Sequence, residues 1–198
     1  MQEKPNRRSN QERTDATRAA LVIAARRLFV KKSFAETSTT EIVAAAEVTR
    51  GALYHHFEDK RALFHAVVEQ EAAAVAAEID AAAPATEPVR EALVKGGEAF
   101  LQAMARDGRT RLLLIDGPAV LGRAAMDEID NRNAAQTLRE GLAVAIDKGE
   151  IAPLPLDALT ALLSAAFDRA ALAVEENSKV VGDYRIALAA LIQGLAPR

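Results

Sequence analysis

One short stretch of this 198-residue chain concentrates side chains that can donate hydrogen bonds. Between residues 39 and 60, assigning the apolar residues to a core leaves a set rich in donors, and from Thr49 to Phe57 no carboxylate occurs before the terminal Glu58 and Asp59. The members have short or planar side chains: Thr39, Thr40, Arg50, Gly51, Ala52, Tyr54, His55, His56 and Lys60. A two-turn helix with such a surface fits a DNA major groove, which is about 12 Å wide.

The chemistry of each group suits a different part of a DNA duplex. Groups that suit phosphates, through hydroxyl, imidazole or ammonium donors, belong to Thr39, Thr40, Tyr54, His56 and Lys60. Arg50 suits a guanine edge or a phosphate, while Gly51 and Ala52 let the backbone approach the bases. Taken singly, each residue also fits an ordinary role, such as a helix cap for Thr39 or a surface position for His55. Their combination at this spacing favours DNA.

Two short helices are predicted to carry these residues. Ser38 and Glu41 have the spacing of a capping box, which predicts a helix over residues 39–46. Thr49 predicts the cap of a second helix over residues 50–57. Because only a tight turn separates them, the two helices must cross steeply, as in a helix-turn-helix.

Longer helices are predicted on both sides of this pair. Thr14 is the predicted cap of a helix that runs to residue 32, and Asp59 is the predicted cap of one that runs to residue 82. Two prolines in residues 83–88 end the second of these helices. Every strong segment beyond has helical apolar spacing, with predicted helices at 88–105, 109–116, up to 148 with a break near Gly122, 157–176 capped by Asp157, and 179–193. We therefore predict an all-α fold of nine or ten helices.

Composition excludes several classes of protein. The chain has no cysteine, which rules out disulfides, thiol nucleophiles and cysteine-ligated metals. No apolar run approaches the ~20 residues of a membrane span, and the first thirteen residues lack the apolar core of a secretory signal. We expect a cytoplasmic protein with no membrane contact and no cofactor. Residues 1–60 are basic and the remainder is acidic, so only the first part is expected to meet a polyanion.

The same stretch resembles a known family. The run TRGALYHHFEDKRALF (residues 49–64) closely resembles the DNA-binding domain of the TetR family of bacterial transcriptional regulators. Residues 37–46 and 17–29 are similar to that family's second and first helices, so the resemblance covers about residues 14–70. The family's DNA-contacting positions fall on Thr39, Thr40, Arg50, Gly51, Ala52, Tyr54, His56 and Lys60. These largely coincide with the set chosen from chemistry.

The resemblance implies an organisation for the whole chain. Residues 14–60 would be a three-helix helix-turn-helix domain, and residues 83–198 a helical ligand-binding and dimerisation domain. Residues 1–13 are polar and contain four basic side chains, which predicts a flexible basic arm, with an inert tail as the alternative. A homodimer would form through helices 157–176 and 179–193, whose wide apolar faces would otherwise remain exposed to solvent. Such a dimer reads a palindromic operator on double-stranded DNA. The implied function is a repressor that a small, mostly apolar effector releases from DNA.

Bulky apolar residues of the middle helices are the candidates for an effector pocket. They are Phe100, Met104, Leu113, Leu114, Val120, Met126 and Phe167, with Asp116 as a polar group beside a helix break. Gly96 and Gly97 inside a helix predict close packing or a kink. No histidine follows His65, which argues against a histidine-based metal site in this part of the chain.

Two residues depart from the family pattern. Glu47 and Ser33 occupy positions at which family members usually have glycine, so we expect a left-handed conformation there or a shifted turn. Three other functions stay open at this point: a regulator without a ligand or an activator, a helical adaptor that binds protein, and an enzyme. The enzyme would have to use a metal bound by His65 and Glu69, which are four residues apart. Because the sequence shows no third ligand and no catalytic motif, we expect that the protein is not an enzyme.

Overall fold

The computed structural model describes residues 10–82 and 88–197, and every regular element in these ranges is helical. The α-helices are α1 (Asn10–Lys32), α2 (Thr39–Ala45), α3 (Arg50–His56), α4 (Lys60–Ala82), α5 (Val89–Met104), α6 (Gly117–Leu121), α7 (Arg123–Asn131), α8 (Ala134–Asp147), α9 (Leu156–Glu176) and α10 (Val181–Gln193). A π-helical segment, Arg111–Asp116, precedes α6, and a 3-10 turn, Ser178–Val180, precedes α10. The all-α prediction is confirmed for the described ranges.

The chain divides into two compact units, residues 1–67 and 68–198. The boundary falls inside α4, so this helix contributes to both units. Within residues 10–82 and 88–197, none of the helices combines the length and the apolar character needed to cross a membrane. The predicted arm at residues 1–13 lies mostly outside the described residues, as does most of the proline-containing joint at 83–88.

Three phenylalanine rings form the centre of the first unit. The ring centroids of Phe29 and Phe64 are 5.2 Å apart, and Phe34 lies 5.7 Å and 5.1 Å from them respectively. Phe29 and Phe64 are fully buried, and burial of such a side chain contributes about 1.5–3 kcal/mol. Because the rings come from α1, the connection after it and α4, they join these three segments.

Both unusual glycine replacements adopt the left-handed conformation. Ser33 has φ of 83° and Glu47 has φ of 56°. Neither turn is shifted: the amide of Ser33 donates to the Phe29 carbonyl at 2.8 Å, and the amide of Val48 donates to the Val43 carbonyl at 3.0 Å. The first of the two expected outcomes is therefore the one observed, and each residue bears the steric cost of this conformation.

Two predicted helix caps are wrong. Helix α1 begins at Asn10, four residues before Thr14, because residues 11–13 continue the helix and the Gln11 amide donates to the Asp15 carboxylate. Helix α9 begins at Leu156 instead of after Asp157, whose carboxylate accepts a hydrogen bond from the Arg139 side chain at 3.0 Å. The Asp59 cap is confirmed, since its carboxylate accepts from the Ala62 amide at 2.7 Å.

The glycines of the second unit give mixed outcomes. Gly122 (φ 87°) interrupts the long helical segment and Gly149 (φ 70°) ends it, as predicted. The predicted end of a helix at residue 116 is wrong, because Gly117 has helical angles and begins α6 directly after the π-helical segment. A Cβ atom on Gly117 would lie 2.8 Å from the Met126 sulfur and 2.9 Å from the Leu112 carbonyl. Gly117 therefore serves close packing and does not end a helix.

A buried arginine joins α4 to the end of α5 inside the second unit. Arg109 is only 5% exposed and donates to Glu71 at 2.9 Å, to Glu78 at 3.1 Å and to the Ala103 carbonyl at 2.8 Å. Removing one partner from such a cluster leaves an uncompensated buried charge, which is strongly destabilising. The cluster therefore fixes the second half of α4 on its neighbours.

The left-handed conformation at Glu47 predicts that Glu47→Gly stabilises the protein. Glycine adopts this conformation without the Cβ clash, so the free energy of unfolding should rise by about 1 kcal/mol. Urea denaturation followed by circular dichroism measures the change. Ala44→Gly, inside α2, is the matched control and should lower stability by about 0.5–1 kcal/mol. A loss of stability in Glu47→Gly would contradict the conformational assignment.

Candidate nucleic-acid interface and ligand cavity

Helix α3 separates its residues cleanly into a buried side and an exposed side. Leu53 is fully buried and Phe57, just after the helix, is nearly so. Arg50, Gly51, Tyr54 and His55 are exposed, and their spacing places them on one face. The structure therefore brings together four members of the predicted set as one surface, which we call the α3 face.

The side chains of Arg50 and Tyr54 support each other on the α3 face. The guanidinium carbon of Arg50 lies 5.6 Å from the centroid of the Tyr54 ring. Hydrogen bonding to Arg50, and then to Thr39, lowers the pKa of Tyr54 below its usual value. One residue from the start of α2 and two from α3 thus meet at the surface. Because these contacts restrain Arg50 before any partner arrives, less conformational entropy is lost on binding.

The start of α2 carries the predicted capping box. The Ser38 hydroxyl accepts from the Glu41 amide at 3.2 Å, and the Glu41 carboxylate accepts from the Ser38 amide at 3.0 Å. Hydrogen bonds from Lys32 and then from the Ser38 amide hold the pKa of Glu41 at about 2. Thr39 is half-buried and Thr40 is exposed beside this cap. Glu41 is therefore engaged within the protein and does not add a free negative charge next to them.

The remaining predicted residues of α3 lie at the edges of its exposed face. Ala52 is half-buried, and its amide donates to the Thr49 side chain at 3.2 Å, which confirms the predicted cap. His56 is half-buried with its ring 5.3 Å from that of His55. Burial and then the neighbouring His55 lower the pKa of His56. A neutral imidazole at pH 7 donates one hydrogen bond but brings no charge.

Lys60 departs from the prediction that it belongs to the exposed set. Its ammonium nitrogen donates to the carbonyls of Phe34 and Thr37, both at 2.8 Å, and lies 4.3 Å from the centroid of the Phe34 ring. These partners satisfy two of its three donors and hold the connection between α1 and α2. In this structure Lys60 is a positioning residue that holds the connection leading into α2, the helix that carries Thr39 and Thr40.

A cavity of about 450 Å³ lies within the second unit. Its wall is mainly apolar and comes from α4, α5, α8 and α9. Polar side chains at the wall are Asp80, Thr137, Glu140, Lys148 and Ser164. A cavity of this size and character suits a small organic molecule.

Two of the eight predicted pocket residues line this cavity. Phe100 and Phe167 lie in its wall with ring centroids 5.7 Å apart. The other six lie outside it. Met104 is buried at the end of α5, and the remaining five belong to the segments after α5: Leu113, Leu114, Asp116, Val120 and Met126. The Asp116 carboxylate forms an ion pair with Arg111 at 3.3 Å. The prediction that these six residues share one pocket with the two phenylalanines is therefore wrong for this cavity.

Two glycines let side chains pack closely in the helices that form the cavity wall. A Cβ atom on Gly97 would lie 2.6 Å from the Phe167 ring, and one on Gly141 would lie 2.9 Å from Leu93. The close packing predicted at Gly97 is thus confirmed. Sequence reasoning did not identify Ser164 or Thr137, since isolated hydroxyl residues in amphipathic helices carry no pattern.

Two carboxyl groups lie close together behind the cavity wall. The Ser164 hydroxyl, in the wall, donates to the Asp130 carboxylate at 3.0 Å. Burial raises the pKa of Asp130. Burial, followed by repulsion from Asp130, raises the pKa of Asp168 to about 7. Near neutral pH the pair therefore carries less than two full charges.

Helices α9 and α10 expose an apolar surface. Leu162 is 72% exposed, Ile186 is 73% exposed and Leu191 is 53% exposed. Exposed alanines flank them at helical spacing, at positions 158, 161 and 165 of α9 and 187 and 190 of α10. Small residues between large apolar ones allow another helix to approach closely. We call this the α9–α10 face.

Comparison with known proteins gives the same two-part division. The family model described as "Bacterial regulatory proteins, tetR family" matches residues 21–67. A second family model, "Tetracyclin repressor-like, C-terminal domain", matches residues 90–195. Together the two matches include the helices of the α3 face, the cavity wall from α5 onward and the α9–α10 face.

Individual relatives are similar over different lengths. The Transposon Tn10 TetC protein of Escherichia coli is 42% identical over 66 residues, which are 33% of this chain and 34% of that protein. The HTH-type transcriptional repressor BepR of Brucella suis biovar 1 (strain 1330) is 42% identical over 52 residues, 26% of this chain and 25% of BepR. The chain thus aligns with about a third or less of these curated relatives.

A solved structure is similar over nearly the full length. It is a TetR-family transcriptional regulator from Pectobacterium atrosepticum, with 31% sequence identity and a TM-score of 0.79. The comparison covers 96% of this chain and 99% of that one. The likeness therefore includes the helices of the second unit, which the curated relatives above leave largely unmatched.

The carboxyl pair predicts a specific dependence of stability on pH. Because the folded pKa of Asp168 is raised, the folded state binds more protons than the unfolded state between about pH 4 and pH 7, and stability falls as pH rises through this range. Asp168→Asn should remove about 2 kcal/mol of that decrease between pH 5 and pH 8. Urea titrations at both pH values measure it. Asp147→Asn, at an exposed site on α8, should keep the wild-type slope. An unchanged slope in Asp168→Asn would contradict the raised pKa.

Proposed function

Because the chain belongs to the TetR family of bacterial transcriptional regulators, we propose that it represses transcription as a homodimer on a palindromic operator until a small, mostly apolar effector releases it. The observation that carries the proposal is the α3 face, on which Arg50 is already restrained by Tyr54. Members of this family are transcription regulators and not enzymes. The metal-dependent enzyme considered from His65 and Glu69 is therefore set aside.

The α3 face is proposed to lie in the major groove. Arg50 can form two hydrogen bonds with a guanine edge, and exposed Gly51 leaves room for close approach to the bases. Thr40, Tyr54 and His55 are exposed and can donate to phosphates on either side. Thr39, Ala52 and His56 are proposed to contact DNA at the edge of this surface. Lys60 is proposed to act through its third donor and chiefly by holding the connection before α2.

The α9–α10 face is proposed as the dimer interface. Its exposed leucine and isoleucine side chains are large enough to supply the apolar centre of an interface between two copies. One helix-turn-helix reads only a few base pairs. A two-fold dimer presents two α3 faces, which fits two half-sites about one helical turn apart.

The cavity is proposed to hold the effector. Ile79 and Asp80 of α4 lie in its wall, and Arg109 binds Glu71 and Glu78 of the same helix. The N-terminal part of α4 carries Lys60, which binds the connection between α1 and α2, and Phe64, which packs against Phe29 of α1. An effector that favours a different position of α4 would thereby change the spacing of the two α3 faces. It can do so only by its difference in affinity for the two arrangements.

Substitution of Arg50 tests the proposed base contact. Arg50→Ala should weaken binding to an operator obtained by in vitro selection by about 1–3 kcal/mol and leave binding to unrelated duplexes nearly unchanged. Fluorescence anisotropy at two salt concentrations measures both. Arg27→Ala, which removes an equal charge from an exposed site on α1, is the control. An equal loss on every duplex would make Arg50 a phosphate contact and contradict the assignment.

Substitution on the α9–α10 face tests the proposed dimer. Ile186→Glu should convert the dimer to monomers at micromolar concentration, because a carboxylate would be buried at the apolar centre. Sedimentation equilibrium measures the mass. Ile23→Glu changes an equally large apolar side chain that is 51% exposed on α1 and should leave the dimer intact. A dimeric Ile186→Glu protein would place the interface elsewhere.

A further inference from the structure

Ser164 limits what the cavity wall offers to a ligand. A serine hydroxyl carries one proton, and that of Ser164 is donated to the Asp130 carboxylate at 3.0 Å. The hydroxyl therefore has only acceptor positions left for a molecule in the cavity. A ligand group that donates a hydrogen bond satisfies this oxygen, whereas a ligand carboxylate or ether oxygen does not.

The charges around this hydroxyl favour a cation. Asp130 lies directly behind Ser164, and Asp168 follows Ser164 by one helical turn on α9. Repulsion between these two carboxyl groups contributes to the raised pKa of Asp168. Arg123 of α7 offsets part of it. A further positive charge near Ser164 would relieve the remaining repulsion, because an opposite charge stabilises the ionised form of a carboxyl group.

The cavity wall has the same bias in charge. Asp80 and Glu140 are its acidic side chains, and among the described residues of the wall Lys148 is the one basic side chain. With Asp130 and Asp168 behind Ser164, the surroundings of the cavity are acidic. An anionic ligand would therefore meet repulsion on most sides.

The apolar part of the wall suits an aromatic ring. Phe100 and Phe167 lie 5.7 Å apart with their rings inclined by 60°. Both rings line the cavity, so a third ring inside it can pack against them at the usual centroid separations of about 4.5–7 Å. Phe167 precedes Asp168 and follows Ser164 by three residues on α9, so one helix supplies both the ring and the acceptor.

From this juxtaposition we infer that the cavity takes an arylalkylamine, held with its ring against Phe100 and Phe167 and its protonated aliphatic nitrogen donating to Ser164 in front of Asp130. The inference rests on the proposed function in taking the cavity as the effector site. It adds the chemical class of the ligand. An aromatic alcohol shares the donor but lacks the charge, so the two classes can be separated by experiment.

Four naphthalene probes that differ at one substituent test the inference: 1-naphthylmethylamine, 1-naphthalenemethanol, 1-methylnaphthalene and 1-naphthoic acid. Calorimetry and probe fluorescence on the full-length protein at pH 7 give the affinities. The amine should bind at least ~10-fold more tightly than methylnaphthalene, as expected for a charge-assisted hydrogen bond, and the alcohol should lie between them. Naphthoic acid should bind most weakly.

Two variants separate the hydrogen bond from the charge. Ser164→Ala should weaken both the amine and the alcohol, the amine by ~10-fold, while methylnaphthalene stays within about twofold. Asp130→Asn keeps an acceptor for the Ser164 proton and should weaken the amine alone. Glu128→Gln, at an exposed site on the same helix α7, is the control and should leave all four affinities unchanged. Thermal denaturation verifies that each variant is folded.

Several outcomes would overturn the inference. Equal affinities for all four probes, preference for naphthoic acid, no binding of the amine, or an amine affinity unaffected by Asp130→Asn would each do so. Release of operator DNA is measured separately with the same probes. Selective amine binding without release of DNA would leave the inference standing and contradict the proposed role of the cavity. Release by an uncharged probe alone would support that role and contradict the inference.

Discussion

A helix of seven residues cannot hold its own position in water, because so short a helix forms few backbone hydrogen bonds for the entropy it loses. Helix α3 is of this length, and within it Leu53 is the side chain that is fully buried. It packs on α1 and α2. Its position therefore depends on the phenylalanine cluster, which holds α1, and on the Lys60 ammonium group, which holds the connection between α1 and α2 through the carbonyls of Phe34 and Thr37. The exposed donors of the α3 face keep their positions only because these contacts hold the segments on which α3 packs.

Local signals in the sequence predict this part of the fold well. The capping box of Ser38 and Glu41 and the caps of Thr49 and Asp59 each involve residues three positions apart. Their physics is visible in a short window of sequence. The exposed face of α3 follows from the same spacing, once its apolar residues are assigned to the core. The left-handed conformation at Glu47, in contrast, was expected only from the family's usual glycine at that position.

Contacts between distant segments explain what the sequence did not predict. Lys60 is bound by carbonyls 23 and 26 residues away, so its exposure was misjudged although its residue type was considered. Asp157 suited a cap, but Arg139 from the preceding helix binds its carboxylate. The cavity depends on where α5, α8 and α9 leave space, and bulky apolar residues pack in cores more often than they line cavities. For that reason only Phe100 and Phe167 of the bulky candidates line the cavity. Ser164 was not identified, because candidates were chosen by bulk and apolar character.

The central claim is that two copies of the α3 face read a symmetric duplex. Selection of bound fragments from a random pool of duplex DNA, followed by sequencing, tests it most directly. The account predicts enrichment of one inverted repeat whose half-sites are about one helical turn apart, with retention that weakens steeply as salt increases. A pool that remains random after repeated selection at low salt, or that converges on one unpaired half-site, would contradict it.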